Sequence, residues 1–295
     1  TSFPLLWFGV YEQPQAFDHQ ESNFTGRSPA DQVLPYIKDL SWKMPSEEKG
    51  YSLSDLRVNV PREEYIKDIE TVRDYIARGE TYQVNYTLKY KFAFAGSPYR
   101  LFMDLNSKQH VSYAAFIKFG SCFVLSLSPE LFFRKRGREI TVKPMKGTWE
   151  RGHTLGEDGE NARKLENSSK NRAENVMIVD LLRNDLGRIS EIRSVKTTKL
   201  FEVERYQTLF QMTSTVEGKL RPWVSPHQLF ANIFPCGSVT GAPKIRTMQI
   251  NGELEREPRN VYCGSIGFIS PRGDAVFNVA IRTLLIDPRA GQGEM

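Results

Sequence analysis

The chain has 295 residues, 40% hydrophobic, 25% charged and 12% aromatic, a balance that excludes a disordered, collagenous or coiled-coil protein and supplies enough apolar side chains for a sizeable core. The net charge of +5 is mild, and the densest basic cluster is Arg134–Lys135–Arg136, so no nucleic-acid partner is expected and a small anionic substrate suits the charge equally well. No stretch nears the roughly 18 apolar residues of a membrane span, the opening TSFPLLWFGV lacks the basic n-region of a signal peptide, and Cys122, Cys236 and Cys263 show no metal-ligand spacing, which points to a reducing, cytoplasmic setting without disulfides or structural zinc.

Residues 12–60 are polar and rich in Pro, Ser, Asp and Glu, and read as long irregular surface connections. Pro61 opens a helix in which Tyr65, Ile69, Val72 and Ile76 recur at helical spacing before Gly79 stops it. Thr81–Phe94 alternates as a strand. Residues 112–145 read as several strands, with Gly137 marking a hairpin turn. Residues 149–171, with three glycines, read as a loop or an exposed helix. A helix is predicted from near Arg172 to about Leu186, ended by Gly187, and residues 198–217 are β-rich. The loop Cys236–Ala242 feeds a helix from Pro243 to about Glu255. Strands near 262–270 and 275–286 form a hairpin around Pro271–Gly273. Without repeats or interdomain linkers, this mixture predicts an α+β fold: one large domain of mostly antiparallel sheets flanked by helices.

Four segments look chemical. In LSPELFFRKRGREITVKPMKGTW, a turn at Gly137–Arg138 places residue 130 opposite about residue 145, so Glu130 and Lys146 become neighbours at the open end of the ribbon. Alternation puts Lys146 on the face of Ile140 and Val142, where desolvation would favour a neutral, nucleophilic amine. The apolar surroundings of Glu130 would favour a proton donor. A cross-strand ion pair is the commoner outcome for such a pair.

On the helix through Glu174–Asp185, Glu174 heads a stripe with Ile178, Leu181 and Asp185. A carboxylate there could hold Mg²⁺ with water and substrate oxygens, or simply sit favourably in a first helical turn. The loop Cys236–Lys244 could present backbone N–H groups to an anion, or be an ordinary turn. On the last strand, with both faces apolar, Arg282 points into protein or a cavity and wants a carboxylate from either.

Together these segments resemble the chorismate-utilising enzymes. The shared motifs are LSPELFF (127–133), KPMKGT (143–148), NRAENVMIVDLLRNDLGRI (171–189), TLFQMTSTVEG (208–218), the 234–255 segment, YCGSIGF (262–268) and FNVAIRT (277–283). They run in the family's order over most of residues 60–286. The lysine of KPMKGT is similar to that of the aminodeoxychorismate-forming branch, where other branches carry Ala.

The resemblance implies the chorismate-binding fold, with residues 1–60 a partial N-terminal region and 61–295 the catalytic domain. It implies that Lys146 adds to carbon 2 of chorismate, that Glu130 protonates the departing 4-hydroxyl, and that ammonia then adds at carbon 4 and expels Lys146. The product, 4-amino-4-deoxychorismate, leads to p-aminobenzoate and folate, and a glutamine amidotransferase subunit supplies the ammonia. Glu174 matches a Mg²⁺ ligand. Thr240, Gly241, Tyr262 and Arg282 match substrate-binding positions. Gln83 stands where isochorismate synthases place a lysine base, and Gln211 where anthranilate synthases have a histidine. The family continues beyond residue 295 into a Gly-rich segment and a second metal-binding Glu, so the chain is expected to be truncated at both ends. Anthranilate synthase component I, or an inactive chorismate-binding relative, is the alternative.

Overall fold

The computed structural model describes residues 9–10, 16–18, 23–25 and 50–295. Much of the segment expected to be irregular, 12–60, lies outside the described residues. Its described parts include two short antiparallel strands, β1 (Ala16–Asp18) and β2 (Asn23–Thr25), and an eight-residue strand, β3 (Tyr51–Val58). The last corrects the expectation. Seven of its eight residues are exposed, so an edge strand with no alternating pattern carries no periodic signal.

Helix α1 (Arg62–Ala77) begins after Pro61 and stops before Gly79, whose φ is +74°. The strand expected over Thr81–Phe94 is broken in two. β4 (Gln83–Val84) and β5 (Tyr90–Gly96) are separated by irregular backbone, because β4 pairs with β13 (Gly241–Ala242) outside the larger sheets.

Two antiparallel sheets organise the molecule. The first runs β3–β5–β17–β16–β7–β6, with β6 (Tyr113–Phe119), β7 (Cys122–Ser128), β16 (Thr283–Asp287) and β17 (Gln292–Glu294). Helix α2 (Pro98–Lys108) contributes Leu101 to its core, with Phe92, Phe94, Leu125 and Ile286.

The second sheet centres on the long strand β12 (Leu209–Lys219), hairpinned to β11 (Lys196–Arg205). The opposite edge of β12 is shared by β9 (Glu139–Lys143) and β10 (Met145–Glu150), end to end across Pro144. β9 forms the predicted hairpin with β8 (Leu131–Arg136), turning at Gly137 with φ +55°. β15 (Ala275–Asn278) joins β8, and β14 (Gly267–Ile269) completes the sheet. A fully apolar core of Phe132, Phe133, Ile178, Leu182, Val216 and Phe277 lies between this sheet and helix α4 (Ser169–Gly187).

Helix α3 (Leu155–Glu166) occupies the 149–171 segment. α4 (Ser169–Gly187) starts three residues before the predicted Arg172, because the Ser168 hydroxyl accepts from the Asn171 N–H at 3.3 Å. α5 (Pro226–Ile233) and α6 (Lys244–Leu254) flank the Cys236–Ala242 loop.

The chain passes between the two sheets twice, at Pro129–Glu130 and at Val279–Arg282. These crossovers are tied together: the Val279 N–H donates to the Glu130 carbonyl at 3.1 Å, and the Ser128 hydroxyl donates to the Val279 carbonyl at 2.6 Å. The expected continuous strand 275–286 is therefore two strands in two sheets.

Candidate active site

Glu130 sits on the first crossover, where the chain leaves one sheet for the other. It is 3% exposed. Burial pushes its carboxyl up to about 7, against the opposing pull of the Ser238 hydroxyl, the Met145 N–H and the Lys146 charge. The Ser238 hydroxyl donates to Oε1 at 2.7 Å. A carboxyl held near neutrality is poised to give and take a proton at ordinary pH. The expected approach of Glu130 to residues 145–146 is thus present. A bulge between Leu131 and Arg134 shifts the hairpin by one residue, so Leu131 pairs with Lys143.

Lys146 differs from its expected surroundings. Ile140 and Val142 are buried at 1%, whereas Lys146 is half-buried. Pro144 resets the strand: β10 keeps the β12 edge but has its own irregularity between Met145 and Thr148. Gly147 makes this possible. Its φ is +111°, and a Cβ there would lie 3.1 Å from the Asn171 Cβ and 3.2 Å from the Met212 Cβ, which only glycine accommodates without strain.

The backbone beside Lys146 is clamped from α4. The Asn175 amide, fully buried, donates to the Lys146 carbonyl at 3.4 Å and accepts from the Ser214 hydroxyl at 2.5 Å. The Ser214 N–H in turn donates to the Pro144 carbonyl at 3.2 Å. Neither Asn175 nor Ser214 was singled out by sequence reasoning. Each lies in an element that carries several other polar residues, so no sequence pattern sets them apart.

Glu174 precedes Asn175 and is half-buried. Among the described residues its carboxylate makes no hydrogen bond or ion pair. No group of three His, Cys, Asp or Glu side chains gathers there among the described residues. One unpaired carboxylate suits Mg²⁺ held mainly through water and substrate oxygens. Asp185, on the same stripe, has a different role: its Oδ2 accepts from Lys244 Nζ at 2.6 Å, binding α4 to the start of α6.

In the Cys236–Ala242 loop two N–H groups close a 3₁₀ turn, Gly237–Val239, with Val239 N–H donating to the Cys236 carbonyl and Thr240 N–H to the Gly237 carbonyl. The Thr240 hydroxyl donates to the Cys236 carbonyl at 3.1 Å. Pro243 caps α6 rather than occupying its first turn. Gly241 has φ +133°, and a Cβ there would collide with the Gln83 carbonyl, so β4 crosses the loop closely and sets Gln83 beside it. The Gln83 Oε1 is buried without a hydrogen-bond partner among the described residues.

Arg282 also differs from expectation. It is exposed, at the second crossover, with φ +50°, and donates to Gln109 Oε1 at 3.1 Å. The apolar residues around it in the sequence belong to two different sheets, so they do not surround it. It shares a cleft with Gln211, Tyr206, His110 and Pro129. Gln211 is 9% exposed and accepts from the Thr148 hydroxyl at 3.2 Å. Tyr262 is half-buried against the main core and lines a separate cleft with Thr240, Asn251 and Cys263. The structure therefore gathers Glu130, Lys146 and the 236–241 loop, places Gln211 and Arg282 on one flank, and leaves Tyr262 on another.

The family profile described as chorismate binding enzyme matches residues 1–293. Aminodeoxychorismate synthase component 1 of Escherichia coli (strain K12) is 38% identical over 282 residues, covering 95% of this chain and 62% of that protein. The protein of the same description from Klebsiella aerogenes is 38% identical over 285 residues, covering 95% and 62%. The chain thus spans less than two thirds of these relatives. Among solved structures, anthranilate synthase component I from Streptococcus pneumoniae TIGR4 matches with a TM-score of 0.81 at 29% identity, over 94% of this chain and 64% of that one.

Proposed function

The chain belongs to the chorismate binding enzyme family, and from that premise we propose that it forms part of an enzyme that exchanges the 4-hydroxyl of chorismate for an amino group, giving 4-amino-4-deoxychorismate. The observation that carries this reading is a carboxyl pushed up to about 7 beside an amine on one strand-to-strand approach, Glu130 and Lys146. Two similar proteins are aminodeoxychorismate synthases.

The Lys146 amine adds to carbon 2 of the substrate, both ring double bonds shift, and the 4-hydroxyl leaves with a proton from Glu130 as water. Ammonia then adds at carbon 4 and gives a proton back to Glu130, both double bonds return, and Lys146 leaves as the amine. The net change is ammonia for water, with no oxidation. Covalent addition divides one displacement into two easier steps, and a general acid near neutrality contributes about 10²–10⁴-fold. Arg282 and the cleft it shares with Gln211 face a substrate carboxylate. Glu174 is the residue that would hold Mg²⁺, whose charge would offset a substrate carboxylate. A glutamine amidotransferase subunit is the expected source of ammonia. Gln83, a neutral amide, offers no base at its position to activate water in place of ammonia, and Gln211, where anthranilate synthases have a histidine, weakens the case for pyruvate elimination.

The test is intact-protein mass after mixing with chorismate and Mg²⁺ in the absence of ammonia. An adduct of chorismate less water on Lys146, absent in Lys146→Ala, supports covalent catalysis. An adduct that survives that substitution, or none under single-turnover conditions that yield product on adding ammonium, overturns it.

A further inference from the structure

The proposed mechanism uses Glu130 but leaves open what fixes its proton. The carboxyl is enclosed on its Oε1 side by two other buried side chains, neither of which touches substrate in that scheme. Ser238 Oγ lies 2.7 Å from Oε1, and Cys236 Sγ lies 3.2 Å from Ser238 Oγ. The three are 3%, 6% and 4% exposed.

A serine hydroxyl has a single proton and two lone pairs. With that proton given to Glu130 Oε1, the Cys236 thiol supplies the donor to Ser238 Oγ, and the chain Cys236–Ser238–Glu130 has one direction. The 3₁₀ turn that carries Ser238 and is capped by Cys236 is closed by its own backbone bonds, and Lys244 holds the Pro235 carbonyl just before it at 3.2 Å, so Ser238 is presented rigidly. Burial also keeps the Cys236 thiol protonated, pushing it up to about 12.

We propose that Ser238, oriented by the Cys236 thiol, is the positioning residue for Glu130: it occupies Oε1 so that the transferable proton resides on Oε2. This rests on the reading of Glu130 as the general acid. The groups facing Glu130 are Lys146 and the Met145 N–H from β10, Ser238 and Cys236 from the loop, and Cys263, which senses its charge.

Because the hydroxyl stabilises the carboxylate, its loss should raise the titration midpoint of Glu130. A hydrogen bond to a charged group contributes about 1.5–3 kcal/mol, so Ser238→Ala should raise it by about one pH unit or more. The decisive readout is infrared titration of the protonated Glu130 carbonyl band, assigned by its absence in Glu130→Gln. Ser238→Ala should move that midpoint upward and Ser238→Thr should restore it. Cys236→Ala should move it the same way by less.

In turnover of chorismate with ammonium, Ser238→Ala should lower kcat about tenfold with KM nearly unchanged, and shift the alkaline fall of kcat/KM upward. An unmoved infrared midpoint in a folded Ser238→Ala protein overturns the proposal. So does an equal loss in Ser238→Thr. A shifted midpoint in a protein that never turns over chorismate sustains the positioning role and refutes the proposed function instead.

Discussion

Lys244→Ala should be among the most destabilising single substitutions in the molecule, and the reason is visible in three contacts. Lys244 Nζ donates to Asp185 Oδ2 at 2.6 Å, to the Ile233 carbonyl at 3.1 Å and to the Pro235 carbonyl at 3.2 Å. The two charged side chains are only 12% and 3% exposed. Removing the ammonium leaves a buried carboxylate and two carbonyls without their donor. Deleting one partner of a buried pair costs about 3–5 kcal/mol. At roughly 2–4 °C per kcal/mol for a domain of this size, Tm should fall by about 6–20 °C.

The loss should depend on pH. Burial already raises the Asp185 carboxyl, and Lys244 is the main force opposing that. Without Lys244 the folded state gains more from protonating Asp185 than the unfolded state does, so the deficit should be largest at pH 8 and shrink toward pH 5. Thermal melts at both values on the wild type, Lys244→Ala, Asp185→Asn and the double variant form a cycle. A double variant less stable than Lys244→Ala by the full Asp185→Asn cost, or a Lys244→Ala protein within about 1 kcal/mol of wild type at pH 8, would refute the reasoning.

Glu130→Gln should remove a specific pH dependence of stability. The folded carboxyl titrates at about 7 against 4.5 for the ordinary group, so the folded state holds the proton more tightly. The associated stability is complete below about pH 4.5 and is lost as pH rises to about 7, roughly 3 kcal/mol in all. Urea midpoints of the Gln variant should change less between pH 5 and 8 than those of the wild type. Gly147→Ala should lower chorismate turnover at least tenfold by displacing Lys146, with a stability loss of about 1–3 kcal/mol from the strained φ. Activity and denaturant curves on the same sample separate the two effects. Glu174→Gln should weaken Mg²⁺ binding measured by calorimetry with chorismate present, while leaving the unfolding free energy within about 1 kcal/mol of wild type, because its carboxylate has no partner to lose among the described residues.

The candidate site was legible in the sequence where local rules govern it. Gly137 set the turn, the turn set the approach of Glu130 to residues 145–146, and apolar neighbours announced the raised carboxyl. What local pattern missed follows from the two-sheet architecture. Pro144 and Gly147 take Lys146 off the alternation of β9. Arg282 sits among apolar residues in sequence, yet its flanking strands part into different sheets and leave it exposed. Strand β3 carries no periodicity because it is an edge strand with exposed residues. Ser238 and Asn175 act through contacts made across 108 and 29 positions of chain, a separation that no window of sequence spans. The inward bonds of the Val239 and Thr240 N–H groups depend on a 3₁₀ turn that the loop's glycines permit but do not specify.

Product identity, measured with and without Lys146, tests the central claim most directly. The protein is incubated with chorismate, Mg²⁺ and an ammonium salt at mildly alkaline pH, and the products are separated by chromatography with mass detection. The account predicts 4-amino-4-deoxychorismate from the wild type and its loss in Lys146→Ala, with the variant still folded by circular dichroism. Anthranilate from the wild type, or undiminished aminodeoxychorismate from Lys146→Ala, would contradict it.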